Sequence, residues 1–302
     1  MGNDRPAGQP IDRLLASYLL LSGAALLLPH RPPAWPLLAL LHLAAVLLAW
    51  PPAAVRRTVD GWRGRAPRAS RTLLDWYAVL IIPALYLELA VLNRAVHGGR
   101  YFDDVILGWE QALFGGQPSR ELAAAAPLPW LSELLHFGYL SYYLIIYIPP
   151  LLLYLGGRVP EFRRAIFALL LSFFLHYLFF VYFPVQGPRY LFAAPGGELA
   201  DGALYQLTHR LLEAGSSQGA AFPSSHVGVA VAQTLTMLRF ERRLVPWLAP
   251  LTVLLAVGAV YGGFHYAIDA VCGLLLGALA AALAPAAYRA LGGRWDPSAT
   301  DA

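Results

Sequence analysis

The feature that most constrains this chain is a series of about eight apolar segments, each close to the length that crosses a lipid bilayer. Crossing the hydrocarbon core takes about 20 apolar residues, at a rise of roughly 1.5 Å each. The segments cover about residues 14–28, 35–55, 72–96, 131–155, 165–184, 222–238, 245–263 and 265–288. Because backbone polar groups in lipid are satisfied within helices, the sequence predicts an all-α integral membrane protein with about eight transmembrane helices.

The composition agrees with residence in a membrane. Of the 302 residues, 58% are hydrophobic and 13% are charged, which is too few charges to solvate the surface of a soluble domain of this size. The net charge of +4 comes from arginines in short breaks between apolar segments, so a nucleic-acid partner is not expected. The single cysteine, Cys272, lies in an apolar segment, which excludes a disulfide framework and a thiolate metal cage.

Arginines alternate between the two sides of the predicted bundle. They follow the second, fourth, sixth and eighth segments, at 56–71, 158–164, 239–243 and 289–294. Positive charge is retained in the cytoplasm during insertion, so these loops and both termini are expected there. The longer loops 98–130 and 185–221 lie on the other side, where function is expected. We expect a multi-pass protein of a bacterial plasma membrane, with its active site on the non-cytoplasmic face.

The sixth segment begins with a pattern typical of an anion site. Pro223 stands at the predicted helix start, followed by the hydroxyls of Ser224 and Ser225 and the imidazole of His226. Free N–H groups and the positive end of the helix dipole favour an anion there, and phosphate is the usual occupant. The sequence therefore predicts a phosphate site, to which both serine hydroxyls add donors.

A second polar pair, His265 and Asp269, stands four residues apart at the start of the last segment, a spacing that places both on one helix face. The carboxylate is expected to hold the Nδ1 proton and leave Nε2 free as a nucleophile or base. Two crossings separate His226 from His265, so both return to the same membrane face. Arg189 lies on that face as well, and its guanidinium matches phosphate oxygens.

These residues resemble the type 2 phosphatidic acid phosphatase superfamily, whose motifs read KxxxxxxRP, PSGH and SRxxxxxHxxxD. The Pro-Ser-Ser-His sequence at 223–226 matches the second motif, with Ser225 in place of the glycine. His265 and Asp269 match the end of the third motif.

The chain departs from these motifs at positions that carry charge in the family. Tyr182 replaces the lysine of the first motif, and Arg189 follows its proline rather than preceding it. Gly258 and Ala259 replace the serine and arginine of the third motif. These departures resemble the inositol phosphorylceramide synthase-like branch, as do the Phe-Pro-Ser-x-His core, the aromatic residues before the second histidine and residues 101–116.

The resemblance covers about residues 72–288. It implies an N-terminal segment at 1–71, with two transmembrane helices and an arginine-rich cytoplasmic loop, and a catalytic membrane domain at 72–290 built from the last six helices. A short polar tail at 291–302 is expected to be disordered.

The resemblance also implies a mechanism through a phosphohistidine intermediate. His265 is the implied nucleophile, Asp269 orients it and stabilises its imidazolium, and His226 protonates the leaving oxygen. The implied phosphate ligands are Arg189, Ser224 and Ser225. No metal and no cofactor is expected.

The expected substrate is a membrane lipid phosphate. Because two cationic residues of the family motifs are missing, a diester monoanion is favoured over a phosphomonoester dianion, which favours transfer to an alcohol such as inositol or a lipid headgroup. Simple hydrolysis of a lipid or polyprenyl phosphate is the alternative. Two other classes stay open: a zinc hydrolase with His226, His265 and Asp269 as ligands, and a non-catalytic lipid carrier or transporter on the same scaffold.

The other polar residues within or near apolar segments are interpreted as structural. A lone histidine in a membrane helix usually packs or bonds locally, and this reading applies to His42, His136, His176 and His209. Glu88 is an intramembrane acid, for which Arg94 or Asn93 is the expected partner if it is not a site residue. A solvated or interfacial amphipathic segment, without a catalytic role, is predicted for Asp103, Asp104 and Glu110.

Overall fold

The computed structural model describes residues 8–54, 58, 61 and 68–295, and most of these are helical. The first four helices are α1 (Pro10–Gly23), α2 (Trp35–Ala49), α3 (Arg68–Leu80) and α4 (Ile82–His97). The middle five are α5 (Asp103–Phe114), α6 (Pro118–Ala125), α7 (Pro129–Leu140), α8 (Tyr142–Leu155) and α9 (Val159–Tyr182). The last four are α10 (Ala203–Gly215), α11 (Ser225–Phe240), α12 (Val245–Tyr261) and α13 (Ala267–Ala290).

Five helical stretches of the described chain are long and apolar enough to cross a membrane: Pro10–Leu27, Thr72–His97, Val159–Tyr182, Arg242–Tyr261 and Ala267–Ala290. A sixth span results if α7 and α8, which are bent by 40° relative to each other, cross together. The helices α2 and α11 occupy the other two predicted segments but have only 15 and 16 residues. The predicted all-α integral membrane class is confirmed.

The long helix α9 forms the centre of the bundle. It packs against α1, α4, α8, α11 and α13, and its side chains from Phe162 to Leu170 are buried almost without interruption. A helix that is apolar on all sides belongs in such an enclosed position. The two helices that carry the histidine motifs, α11 and α13, therefore stand on a rigid core.

Glycines allow α11 and α13 to approach each other closely. A Cβ atom at Gly277 would collide with the carbonyl oxygen of Gly228, and one at Gly273 with the carbonyl oxygen of Ser224. Two glycines four residues apart on one helix are typical of tight membrane-helix pairs. Because Ser224 directly precedes α11, this contact fixes the start of that helix against α13.

The first two helices join the same bundle. The Tyr77 hydroxyl donates to Asp12 over 2.5 Å, and the Arg13 guanidinium donates to the carbonyl oxygen of Leu291 over 2.9 Å. His42 on α2 pairs with Glu88 on α4, with 2.9 Å between Nε2 and Oε1. The expected partners of Glu88, Arg94 and Asn93, were therefore wrong, because α2 covers the face of α4 that carries this acid.

Ion pairs join helices and helix ends on the side of the bundle remote from the histidine motifs. Arg158 and Glu241 lie 2.7 Å apart, and Arg163 and Asp75 3.1 Å apart. The arginines Arg56, Arg57, Arg63 and Arg65 lie outside the described residues.

The predicted disordered tail is wrong for its first part. Trp295 is buried and packs against Phe240 and Tyr288, with ring centroids 5.7 and 5.4 Å apart. Arg164 donates to the carbonyl oxygen of Arg294 over 3.0 Å. An aromatic side chain that covers the end of the core orders the backbone that carries it.

Candidate active site

The start of α11 forms one side of the site. Ser224 is its N-cap, and its Oγ accepts from the backbone N–H of Val227 over 3.4 Å. The N–H of Ser224 itself donates to the carbonyl oxygen of Asp269 over 2.9 Å. The Ser224 hydroxyl thus caps the helix, whereas Ser225 lines a cavity together with His226.

His265 lies two residues before α13 rather than on it, so the predicted common helix face was wrong. The chain nevertheless brings its Nδ1 within 3.4 Å of Asp269 Oδ2. The same Nδ1 lies 3.1 Å from the carbonyl oxygen of Ala221. A carbonyl oxygen only accepts hydrogen bonds, so Nδ1 carries the proton and the Nε2 lone pair is free.

His226 faces His265 across the site. Their ring centroids lie 5.6 Å apart. Two tyrosines surround His226: the Tyr139 hydroxyl lies 3.3 Å from its Nε2, and the Tyr142 ring lies 4.6 Å from its own ring, between centroids. The structure therefore brings His226, His265 and Asp269 together, as the sequence predicts.

Burial favours the neutral form of the imidazole nearest the carboxylate. It lowers the pKa of His265 to about 4, and the hydrogen bond to the Ala221 carbonyl opposes this shift. A buried neutral imidazole with a free Nε2 is the form that attacks an electrophile or accepts a proton.

Arg189 stands on an adjoining wall, in the short helical turn Pro188–Leu191. Its guanidinium donates to the carbonyl oxygen of Leu212 over 3.2 Å. It lines a polar cavity of about 670 Å³, together with Arg120, His209 and Glu213. His226 instead lines an apolar cavity of about 260 Å³, so Arg189 does not share a cavity with that imidazole.

Two aromatic rings in contact, tilted by 46° to each other, lie between the cavities. Tyr139 lines the apolar one and Phe264 the polar one, and their centroids lie 4.6 Å apart. The apolar cavity is rich in tyrosine, contributed by Tyr86, Tyr139, Tyr142, Tyr143, Tyr147 and Tyr177. His226 lines the apolar cavity, and Phe264, the residue before His265, lines the polar one.

His209 lines the polar cavity beside Arg189, although only a packing role was predicted for it. Burial, together with the nearby His136 and Arg189, lowers its pKa to about 4. Two other histidines bond locally: His136 and His176 each direct Nδ1 at the carbonyl oxygen four residues earlier, over 2.7 Å.

Sequence reasoning also missed two carboxylates on α5. Asp103 and Glu110 are buried, whereas Asp104 is exposed, so a solvated setting was wrong for two of the three acids. The Asp103 carboxylate accepts from the N–H groups of Gln186 and Gly187, and Glu110 accepts from that of Ile268 over 3.1 Å. The seven-residue spacing of Asp103 and Glu110, which puts both on one helix face, was the available signal.

The zinc alternative requires three ligand side chains that converge on one point. No group of three His, Cys, Asp or Glu side chains that could hold a metal ion occurs in the part of the chain that the structure describes. The proposed zinc ligands His226, His265 and Asp269 thus gain no support from their arrangement.

Comparison with known proteins gives an independent result. No curated protein and no solved structure matches the chain. The family model of the PAP2 superfamily matches residues 104–283, a range that runs from the second residue of α5 into α13 and contains every residue of the candidate site except Asp103. With its paired histidine motifs and its multi-pass helical architecture, the chain belongs to the PAP2 superfamily, the type 2 phosphatidic acid phosphatases.

Proposed function

We propose that this protein is a membrane lipid phosphotransferase that works through a phosphohistidine at His265. The observation that carries the proposal is the pairing of two imidazoles 5.6 Å apart, of which His265 has its Nδ1 proton held and its Nε2 free. That arrangement suits attack on phosphorus by one ring and protonation of the leaving oxygen by the other.

The proposed first step forms a bond between His265 Nε2 and phosphorus and breaks the bond from phosphorus to the leaving oxygen. His226, which enters the step as an imidazolium beside the bound phosphate anion, donates its proton to that oxygen, and Asp269 stabilises the charge that develops on the His265 ring. In the second step the acceptor hydroxyl gives its proton to the now neutral His226 and takes the phosphoryl group, which restores the His226 imidazolium and the neutral His265 imidazole.

The proposed phosphate ligands are Arg189, the hydroxyl of Ser225 and the free N–H groups at the start of α11. Arg189 would exchange its bond to the Leu212 carbonyl for phosphate oxygens, which it binds in a charge-assisted, bidentate manner. Ser224 contributes through the helix start that it caps.

The two cavities support a reaction with two substrates. The tyrosine-rich cavity beside His226 suits the apolar part of a lipid donor. The polar cavity beside Arg189 offers cationic, acidic and imidazole groups to a water-soluble acceptor, such as inositol or another polyol. Water in that same cavity would give simple hydrolysis, which is the alternative reaction.

The test uses purified protein in lipid nanodiscs with radiolabelled phosphatidic acid, polyprenyl phosphates and phospholipid diesters, each with and without inositol. A new labelled product that requires the alcohol supports transfer, and free phosphate as the sole product replaces it with hydrolysis. The His265→Ala variant should form neither product and no acid-labile phosphoenzyme. Full turnover by that variant would overturn the proposal.

A further inference from the structure

We propose that Asp103 is a positioning residue, which holds the segment before Arg189 and the segment after His265 in register. This inference rests on the proposed function, because the positions that it concerns are those of the proposed nucleophile and phosphate ligand. Asp103 itself lies at the first turn of α5 and contacts neither imidazole.

The loop before Arg189 is tied to Asp103 through its backbone. Gln186 donates to Oδ2 and Gly187 to Oδ1, each over 2.9 Å. Phe102, which directly precedes Asp103, adds a third link, because its N–H donates to the carbonyl oxygen of Pro184 over 2.9 Å. Gly187 has φ +93°, a conformation that favours glycine, and the carboxylate satisfies the amide that this turn presents.

The segment after His265 reaches the same carboxylate. The Tyr266 hydroxyl donates to Asp103 Oδ1 over 3.0 Å. The Tyr266 N–H donates to Asp269 Oδ2 over 2.9 Å, so one residue links Asp103 to the carboxylate beside His265.

A third set of contacts joins the loop before Arg189 to the segment before α11. Val185 pairs with the segment before α11: its N–H donates to the carbonyl oxygen of Gly219 over 3.2 Å, and its carbonyl oxygen accepts from Ala221 over 3.0 Å. The Ala221 carbonyl in turn accepts from His265 Nδ1. Asp103 thus bonds Gln186, the chain neighbour of Val185, and Val185 bonds Ala221. Ala221 bonds His265, whose chain neighbour Tyr266 bonds Asp103 again.

Glu110 extends this support one turn along α13. Its carboxylate accepts from the N–H of Ile268, one of the free donors of the first turn of that helix. Ile106, between the two acids on the same face of α5, packs in a cluster with Val185 and Tyr266. The buried face of α5 therefore contacts both the loop before Arg189 and the start of α13, and holds them in place.

Three segments of the chain therefore meet at one buried carboxylate: the start of α5, the loop before Arg189 and the segment after His265. A buried carboxylate that loses one acceptor oxygen leaves a donor unsatisfied, and the segments then shift relative to each other. A displacement of about 1 Å at a reacting group costs on the order of 10²-fold in rate.

The test compares Asp103→Asn with Asp104→Asn in the whole protein in nanodiscs, with the lipid donor that the wild type turns over. Asp104 is the next residue of the same helix turn and is exposed, so it is a matched control. We expect Asp103→Asn to lower kcat and the rate of phosphoenzyme formation by about 10²-fold with little change in KM, at a temperature well below its Tm. Asp104→Asn should behave as the wild type.

Three further variants separate positioning from general stability. Glu110→Gln keeps an oxygen that accepts from Ile268 and should keep most of the activity, whereas Glu110→Ala should not. Tyr266→Phe removes one of the three donors to Asp103 and should give an intermediate kcat. An unchanged kcat in Asp103→Asn, with an active wild type, overturns the positioning role; a wild type without phosphoenzyme overturns the proposed function instead.

Discussion

The Nδ1 atom of His265 lies between two acceptors, the backbone carbonyl oxygen of Ala221 at 3.1 Å and the Asp269 carboxylate at 3.4 Å. The tautomer of this imidazole therefore depends on the main chain as well as on the acid. In hydrolytic triads a carboxylate alone orients the histidine. Replacing that carboxylate by an amide gives the wrong tautomer and lowers kcat about 10⁴-fold.

Replacement of the acid should consequently be less damaging here. Asp269→Asn keeps an oxygen for the Tyr266 N–H and leaves Ala221 to hold the Nδ1 proton, but it removes the charge that stabilises the imidazolium. We expect phosphoenzyme formation to slow by less than about 10⁴-fold, measured by rapid quench, with Asp201→Asn at an exposed turn as the control. A full 10⁴-fold loss in a folded variant would argue that Asp269 alone fixes the tautomer.

The role of His226 as an acid is tested by the leaving group. His226→Ala should slow the release of an alkyl alcohol by about 10²–10⁴-fold. A nitrophenyl leaving group departs without a proton, so the same variant should lose much less of its rate with that substrate, and His265→Ala should lose both. Equal losses with the two leaving groups would show that His226 does not donate the proton.

Burial of His265 predicts a pH dependence of stability. Its pKa is lowered to about 4 in the folded protein, against about 6.5 in the unfolded chain. Between these values the unfolded chain binds a proton that the folded protein does not, so the stability contributed above pH 6.5 is lost as the pH falls towards 4.

The measurement is the difference in Tm between the wild type and His265→Gln at pH 7.5 and at pH 5, in the same nanodisc lipid. The wild type should lose stability relative to the variant, on the order of 2 kcal/mol at pH 5. A difference that is independent of pH would mean that the imidazole titrates equally in both states.

The close contact of α11 and α13 predicts that a single methyl group disturbs the site. Gly277→Ala places a Cβ against the carbonyl oxygen of Gly228, and overpacking of this kind costs about 1–3 kcal/mol. Because α11 carries His226, activity should fall together with Tm. Gly108→Ala is the matched control: Gly108 is a helical glycine with open space around its Cβ position, where alanine is neutral or stabilising by up to about 1 kcal/mol. An unchanged Tm in Gly277→Ala would mean that the two helices separate without cost.

Much of the fold follows from local chemistry. Long apolar runs have few alternatives in a membrane to helices, and Pro223 with Ser224 marks a helix start whatever packs around it. The pairing of His226 with His265 follows from counting crossings. These features depend on composition and spacing along one stretch of chain.

The sequence alone therefore determined the membrane class, the helical segments, and the two histidine motifs with Asp269. Tertiary structure alone decided the burial of Asp103 and Glu110, the His42 partner of Glu88, the separate cavity of Arg189 and the Ala221 carbonyl at His265. The physical reason is that each of these is a contact between segments far apart in the chain, and which face of a helix becomes buried depends on the neighbour that covers it.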